Sequence, residues 1–331
     1  MKAVIPVAGA GTNLRPLTYT QPKPLIPVAG KTIISFIIDQ LIDAGVDDFV
    51  FIIGYLGEKI KNFVEEGYPN LKKEFVYQEE RFGLGHAIWT ARDAIKDADE
   101  IIIVLGDTIF ELDLQEMLLS PLSCVGTQQV GEPRNFGVVE RGENGLVSKF
   151  IEKPKIPKSN LAMVGLYKIN DVKILLEGIE YNIKNDIRTK GEFQLTDGLM
   201  RMVEKGVEFT TIPVNKWFDC GKKEILLETN AMLLDKEGYA SSNLPNVDGT
   251  IIIHPVSIGD DCKITNSIIG PHVTIGNNTQ IDSSVIKESI IGSYSSITEI
   301  ILKQSVIGSD AAIKGRSQSL NIGDNTEIDL S

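Results

Sequence analysis

"KAVIPVAGAGTNLRPLTYTQPKPLIPVAGK" occupies residues 2–31. Its start, "KAVIPV", is a short apolar run and reads as a buried strand. Glycines follow directly, at Gly9 and Gly11, and positive charges come later, at Arg15 and Lys23, spaced by prolines. A glycine turn behind a strand presents backbone N–H groups to phosphate oxygens. Arg15 and Lys23 bring the charge that would neutralise a triphosphate. Two common phosphate loops are excluded. The dinucleotide fingerprint GxGxxG fails because Leu14 stands at its third glycine. The "GKT" at 30–32 mimics the end of a P-loop, but the leading glycine's place is taken by Leu25. On the residues alone, a tight turn running into a solvated proline-rich loop explains the stretch as well as a phosphate site does.

Beyond this loop, short apolar runs alternate with helical patterns up to about residue 235. "TIISFIIDQLIDAG" predicts a helix closed by Gly45, and "DFVFIIG" a strand. "EKIKNFVEEG" predicts a helix, "EFVYQ" a strand, "GHAIWTARDAIKDA" one helix and "EIIIVLGD" a strand. Strand–helix alternation implies an α/β domain with a mostly parallel, Rossmann-like sheet and helices on both faces. Ligands in such sheets bind outside the carboxyl ends of the strands.

The rhythm changes near residue 250. Isoleucine recurs at about six-residue spacing, at Ile258 and Ile264, Ile275 and Ile281, Ile291 and Ile297, Ile307 and Ile313, and Ile322 and Ile328. The unit S-[IV]-I-G returns at Ser267, Ser289 and Ser305. This is a hexapeptide repeat, which predicts a parallel β-helix. The polar, turn-rich "DKEGYASSNLPNVDG" at 235–249 reads as a linker. The expected organisation is therefore residues 1–235, a linker 236–249, and a β-helix over 250–331.

With 331 residues the chain has room for two domains. A net charge of −12 without basic runs excludes nucleic acid as a partner. Cys124, Cys220 and Cys262 are sparse and form no CxxC, which points to a reducing compartment and away from structural zinc. The apolar start is short, holds Pro6 and ends in glycines, so it reads as a strand and not a signal peptide. No stretch approaches the ~18 apolar residues of a membrane span. The expectation is a soluble, cytoplasmic protein.

The pattern GxGTxLRPLT…PKPLIPVxGK resembles the signature of sugar-1-phosphate nucleotidylyltransferases, including glucose-1-phosphate thymidylyl- and uridylyltransferases. Similar motifs follow in the family's order along nearly the whole chain: "YQEERFGLGHA" (77–87), "LGDTIF" (105–110), "RNFGVVE" (134–140), "IEKP" (151–154), "GLY" (165–167), "GEFQLTD" (191–197) and "WFDCG" (217–221). The tail resembles the left-handed β-helix that some members carry.

The resemblance implies Mg²⁺-dependent attack of a sugar 1-phosphate on the α-phosphorus of UTP or dTTP, with pyrophosphate leaving. It implies that Ala8, Gly9, Gly11, Thr12, Gln78, Gly83 and Asp107 hold the nucleotide. Gly137, Glu152, Lys153, Gly165 and Glu192 would hold the sugar phosphate. Asp107 and Asp219 would hold Mg²⁺, a hard cation that prefers oxygen ligands. Taken alone, Asp107 also reads as a strand-end turn and Asp219 as a helix cap. Lys23, Lys153, Arg15 and Asn13 are the candidate catalytic residues. The family usually has an arginine where this chain has Asn13. An amide donates a hydrogen bond but brings no charge, so a weak or inactive sugar-nucleotide-binding homologue is the alternative reading. Some members carry an acyltransferase in the β-helix that presents a histidine. The candidates here are His254 and His272, the latter in an ordinary coil corner. The flat aliphatic coil faces suit a homo-oligomer.

Overall fold

The computed structural model describes residues 1–236, 238–241 and 249–315. It divides into two compact units, Met1–Thr229 and Asn230 onward, so the boundary falls inside the helix Lys223–Leu234. Most of the expected linker 236–249 lies outside the described residues, as do Ile322 and Ile328.

The first unit is built on a nine-stranded sheet. Lys2–Pro6 is a central strand, parallel to Ile101–Val104 on one side and to Asp48–Ile53 on the other, with Lys72–Tyr77 parallel beyond that. These four strands are the ones the alternation predicts. The sheet is nevertheless mixed. Leu161–Ile169 lies antiparallel to Ile101–Val104 and joins it to strands at 123–129 and 137–141. Val4, Val50, Ile52, Ile101 and Ile103 are fully buried and pack with Ile88, Leu175 and Leu199 of the helices. The helix Ile33–Asp43 starts at Thr32, whose side chain accepts from Ser35 N, and Gly45 follows its end with a φ of 88°.

One helix differs from the expectation. "GHAIWTARDAIKDA" forms two short helices, Leu84–Thr90 and Arg92–Ile95. The break is at Ala91, whose N–H is shared between the carbonyls of Ala87 at 3.3 Å and Ile88 at 3.1 Å. This tightening toward i−3 bonding ends the α-helix without any breaking residue in the sequence.

The second unit stacks short strands into three parallel sheets, which fit a left-handed β-helix. Ile258 pairs with Ile275, Ile275 with Ile291, and Ile291 with Ile307, so a coil takes 17 or 16 residues. Ile264, Ile269, Ile281, Ile286 and Ile297 fill the interior. The corners use left-handed backbone at non-glycine residues, among them Asn266, His272, Asn278 and Ser283. That conformation costs an L-residue roughly 1–2 kcal/mol. An offsetting contact recurs: His272 N donates to Pro255 O, Asn278 N to Asp260 O, and Ser283 N to Thr265 O of the preceding coil. The repeated serines also have a job. Ser267 Oγ donates to Thr265 O and accepts from Ser284 N of the next coil, and Ser289 does the same with Lys287 O and Ser305 N.

Asn230 and Asp235 belong to this unit. Asn230 hydrogen bonds His272 O and Thr274 Oγ1, and Asp235 Oδ1 lies 3.0 Å from His272 Nε2. His272 is thus a corner residue held by a carboxylate. All three cysteines are free and buried, and burial pushes the Cys220 thiol up to about 12. No helix among the described residues is long and apolar enough to cross a membrane.

Ile286 is fully buried in the coil interior. Ile286→Ala should destabilise the β-helix by about 2–5 kcal/mol, read as a lower urea midpoint of the far-UV circular-dichroism transition. An unchanged midpoint would contradict a packed interior at that position.

Candidate active site

The loops leaving the carboxyl ends of the neighbouring strands Lys2–Pro6 and Ile101–Val104 meet in space. Gly106 permits their contact, because a Cβ there would lie 2.1 Å from Val7 Cγ1. Between these loops and the 78–87 segment is a cavity of about 480 Å³. Ala8, Gly9, Gly11, Thr12, Asn13 and Lys23 line one part of it. Gly11 has a φ of 59°, and a Cβ there would meet Thr18 Cγ2 at 2.9 Å. Thr18 Oγ1 also donates to Gly11 O at 2.7 Å, which locks the turn.

The loop's two cations go different ways. Lys23 opens the short turn Lys23–Leu25 and is nearly buried. Its Nζ lies 2.7 Å from Asp107 Oδ2 and 3.6 Å from Asp219 Oδ1. Arg15 is exposed, sits over the Tyr19 ring at 4.9 Å, and lines neither this cavity nor the next. Instead, Arg81 lines the first cavity. Sequence reasoning passed over Arg81, although it stands inside the quoted "YQEERFGLGHA" motif.

A two-stranded ribbon brings the carboxylates together. Thr108–Glu111 pairs antiparallel with Lys216–Asp219, setting Thr108 opposite Asp219, and Cys220 N donates to Asp107 O at 3.1 Å. Burial raises the affinity of Asp219 for a proton, repulsion from Asp107 adds to this, and Lys23 opposes it. Two carboxylates against one ammonium leave one negative charge. Among the described residues no third His, Cys, Asp or Glu completes a metal cluster. A pair suffices for Mg²⁺, which keeps several waters and takes one or two carboxylates plus substrate phosphates. The donor set therefore fits such an ion.

The far part of the first cavity is lined by Gln78, Gly83, Leu84 and Ala87. A Cβ on Gly83 would lie 2.6 Å from Phe193 O, so only glycine fits that approach. Glu192 lines this cavity and not the second one, where the sequence reading expected it.

The second cavity, of about 270 Å³, is lined by Gly137, Glu152, Lys153 and Gly165, and by Thr196 and Trp217. Glu152 Oε2 accepts from Thr196 Oγ1 at 2.7 Å, and Glu152 Oε1 is 3.7 Å from Lys153 Nζ. Lys153 holds a φ of 41° and Gly165 a φ of 83°. Trp217 Nε1 is buried and donates to no atom of the described residues, and the Trp217 ring packs edge-on to Phe136 at 4.9 Å. Thr196 and Trp217 lie within motifs quoted above, but spacing gives no sign that they face a cavity.

The two cavities share Leu84, Leu105 and Asp107, and Asp219 lines the second. Two ligands, one in each cavity, would meet beside the Lys23–Asp107–Asp219 cluster. That arrangement suits group transfer between two bound molecules.

The chain is similar to known proteins. Bifunctional protein GlmU of Methanocaldococcus jannaschii is 35% identical over 315 residues, covering 88% of this chain and 73% of its own. A glucose-1-phosphate thymidylyltransferase of Streptomyces griseus is 28% identical, covering 88% of this chain and 87% of its own. A solved UDP-glucose pyrophosphorylase bound to UDP-glucose shares the fold, with a TM-score of 0.61 at 24% identity over 70% of this chain and 97% of that one. The nucleotidyl transferase model matches residues 2–236, the stretch that carries every loop and carboxylate of the two joined cavities, and the chain belongs to that family of sugar-phosphate nucleotidyltransferases.

Proposed function

We propose that the protein transfers a nucleotidyl group from UTP or dTTP to a sugar 1-phosphate of the glucose 1-phosphate kind, giving a nucleoside-diphosphate sugar and pyrophosphate. One observation carries this reading: the two cavities join at Asp107. The larger cavity suits the nucleotide, with the glycine turn and Lys23 toward its phosphates and Gln78 toward its base. The smaller suits the sugar phosphate, with Lys153 toward the phosphate and Glu152 toward hydroxyls.

A sugar 1-phosphate is ionised at neutral pH, so its oxygen attacks the α-phosphorus without help from a base. The problem for the protein is to align two anions that repel each other. Lys23 contributes a fixed positive charge at the junction. Bound at Asp107 and Asp219, Mg²⁺ would supply further charge neutralisation to the phosphoryl oxygens. Asn13 lines the nucleotide cavity and contributes no charge. This favours, as a second reading, a homologue that binds sugar nucleotides and turns them over weakly.

Pyrophosphate release with UTP or dTTP, glucose 1-phosphate and Mg²⁺ tests the proposal. Asp107→Ala should lower kcat by about 10²–10³-fold or more, and chelation of the metal should abolish release. Full activity in Asp107→Ala would remove the carboxylate pair from the chemistry. Asn13→Arg adds a cation beside the phosphates and should raise kcat by about tenfold or more, with the nucleotide KM changed less. Activity appearing only in Asn13→Arg would establish the second reading. An unchanged kcat would mean that Lys23 and Arg81 already supply the needed charge.

A further inference from the structure

The Gln78 side chain is held by both hydrogens of its amide. Its Nε2 faces the Gly83 carbonyl oxygen at 3.3 Å and Nδ1 of His86 at 3.2 Å. A carbonyl oxygen only accepts, so the amide group turned toward it is the nitrogen. An amide nitrogen only donates, so Nδ1 of His86 carries a lone pair and the ring is neutral. What Gln78 has left is its oxygen, Oε1. That atom accepts from no described protein group and is not sealed off, and Gln78 lines the nucleotide cavity.

We propose that His86 is a positioning residue for nucleobase choice. By holding the Gln78 amide with its oxygen toward the cavity, it makes the site select a base with a ring N–H and reject one with a ring lone pair. Uracil and thymine present N3–H, whereas cytosine presents a bare N3. This proposal rests on the nucleotidyl-transfer reading and adds to it a device that sets the amide's direction.

The device has a sign. Burial lowers the proton affinity of His86, and the Arg188 guanidinium lowers it further; the Glu80 carboxylate and backbone oppose them. Two aromatic rings also pack on His86, Phe82 at 5.3 Å and Trp89 at 6.5 Å. Arg81 and Glu192 are the charged residues that line the base end of the cavity. At neutral pH the lone pair on Nδ1 is present. In acid, Nδ1 gains a proton and becomes a donor facing a donor. The amide must then turn, which puts Nε2 into the cavity and sets Oε1 against the Gly83 carbonyl. Uracil N3–H then meets an N–H, while cytosine N3 meets a partner.

The experiment compares UTP with CTP in the full chain, saturated with glucose 1-phosphate and Mg²⁺, between about pH 5 and pH 8, where imidazoles titrate. It uses the unmodified chain, His86→Asn and His86→Leu. Asparagine puts an oxygen acceptor close to the place of Nδ1 and has no proton to gain. The unmodified chain should prefer UTP at pH 8. That preference should shrink by about tenfold toward pH 5, through a rising KM for UTP with little change in kcat. His86→Asn should keep the preference and show no pH dependence of it. His86→Leu should lose the preference at every pH. A preference that survives in folded His86→Leu, or a pH dependence that persists in His86→Asn, overturns the proposal. If His86→Leu does not fold, the pH profiles of the other two proteins decide. Calorimetric titration with UTP and CTP reads the same preference without turnover, so a chain that binds but does not catalyse still gives the answer. A chain that binds neither nucleotide overturns this proposal together with the functional reading, whereas preference for UTP unaffected by His86 overturns this proposal alone.

Discussion

The ammonium of Lys23, set between the carboxylates of Asp107 and Asp219, is the contact that ties together the distant segments of the first unit's paired cavities. Its three members come from distant parts of the chain, and each needs different scaffolding. Lys23 requires the glycine turn behind the central strand. Asp107 requires the neighbouring strand and the close approach that Gly106 allows. Asp219 requires the ribbon that pairs Lys216–Asp219 with Thr108–Glu111. Burial in the cluster is unequal: the lysine is nearly enclosed, while both carboxylates keep roughly half their surface open. The carboxylates therefore keep the access that a second cation would need. Both cavities open onto this cluster, Lys23 lining the first, Asp219 the second and Asp107 both.

Much of this architecture was legible in the sequence because it depends on periodicity. The four parallel strands announce themselves as short apolar runs between helical patterns, and the β-helix as isoleucines on a six-residue beat. Both signals follow from burial, which sequence records well. The antiparallel strand Leu161–Ile169 was not legible, since an apolar run looks the same whichever way its neighbour runs. Nor was the break at Ala91, where the helix tightens without any residue that forces it.

The candidate site was legible as a set of motifs and less so as a set of directions. Most residues singled out for the nucleotide and the sugar do line the paired cavities. Arg15 and Arg81 show the limit. Spacing put Arg15 beside the phosphate loop, yet its guanidinium rests on Tyr19, while Arg81, from a different loop, lines the cavity. Glu192 lines the first cavity and not the second for the same reason. A loop residue's heading depends on the packing of the turns around it, and that information is spread over several segments.

The corner geometry of the β-helix bears on how such a unit changes over evolutionary time. A coil here takes either 17 or 16 residues, and the strands of successive coils stay in register despite the difference. The extra residue is absorbed between strands, where the left-handed corner residue hands its N–H to the coil before it. Insertions and deletions of one residue are therefore local events that leave the interior stack of isoleucines aligned. Whole coils are equally interchangeable, since each one meets its neighbours through the same serine and corner contacts. Genes for such a unit can lengthen or shorten by duplication and loss of coils, while the carboxylates and glycines of the first unit stay fixed.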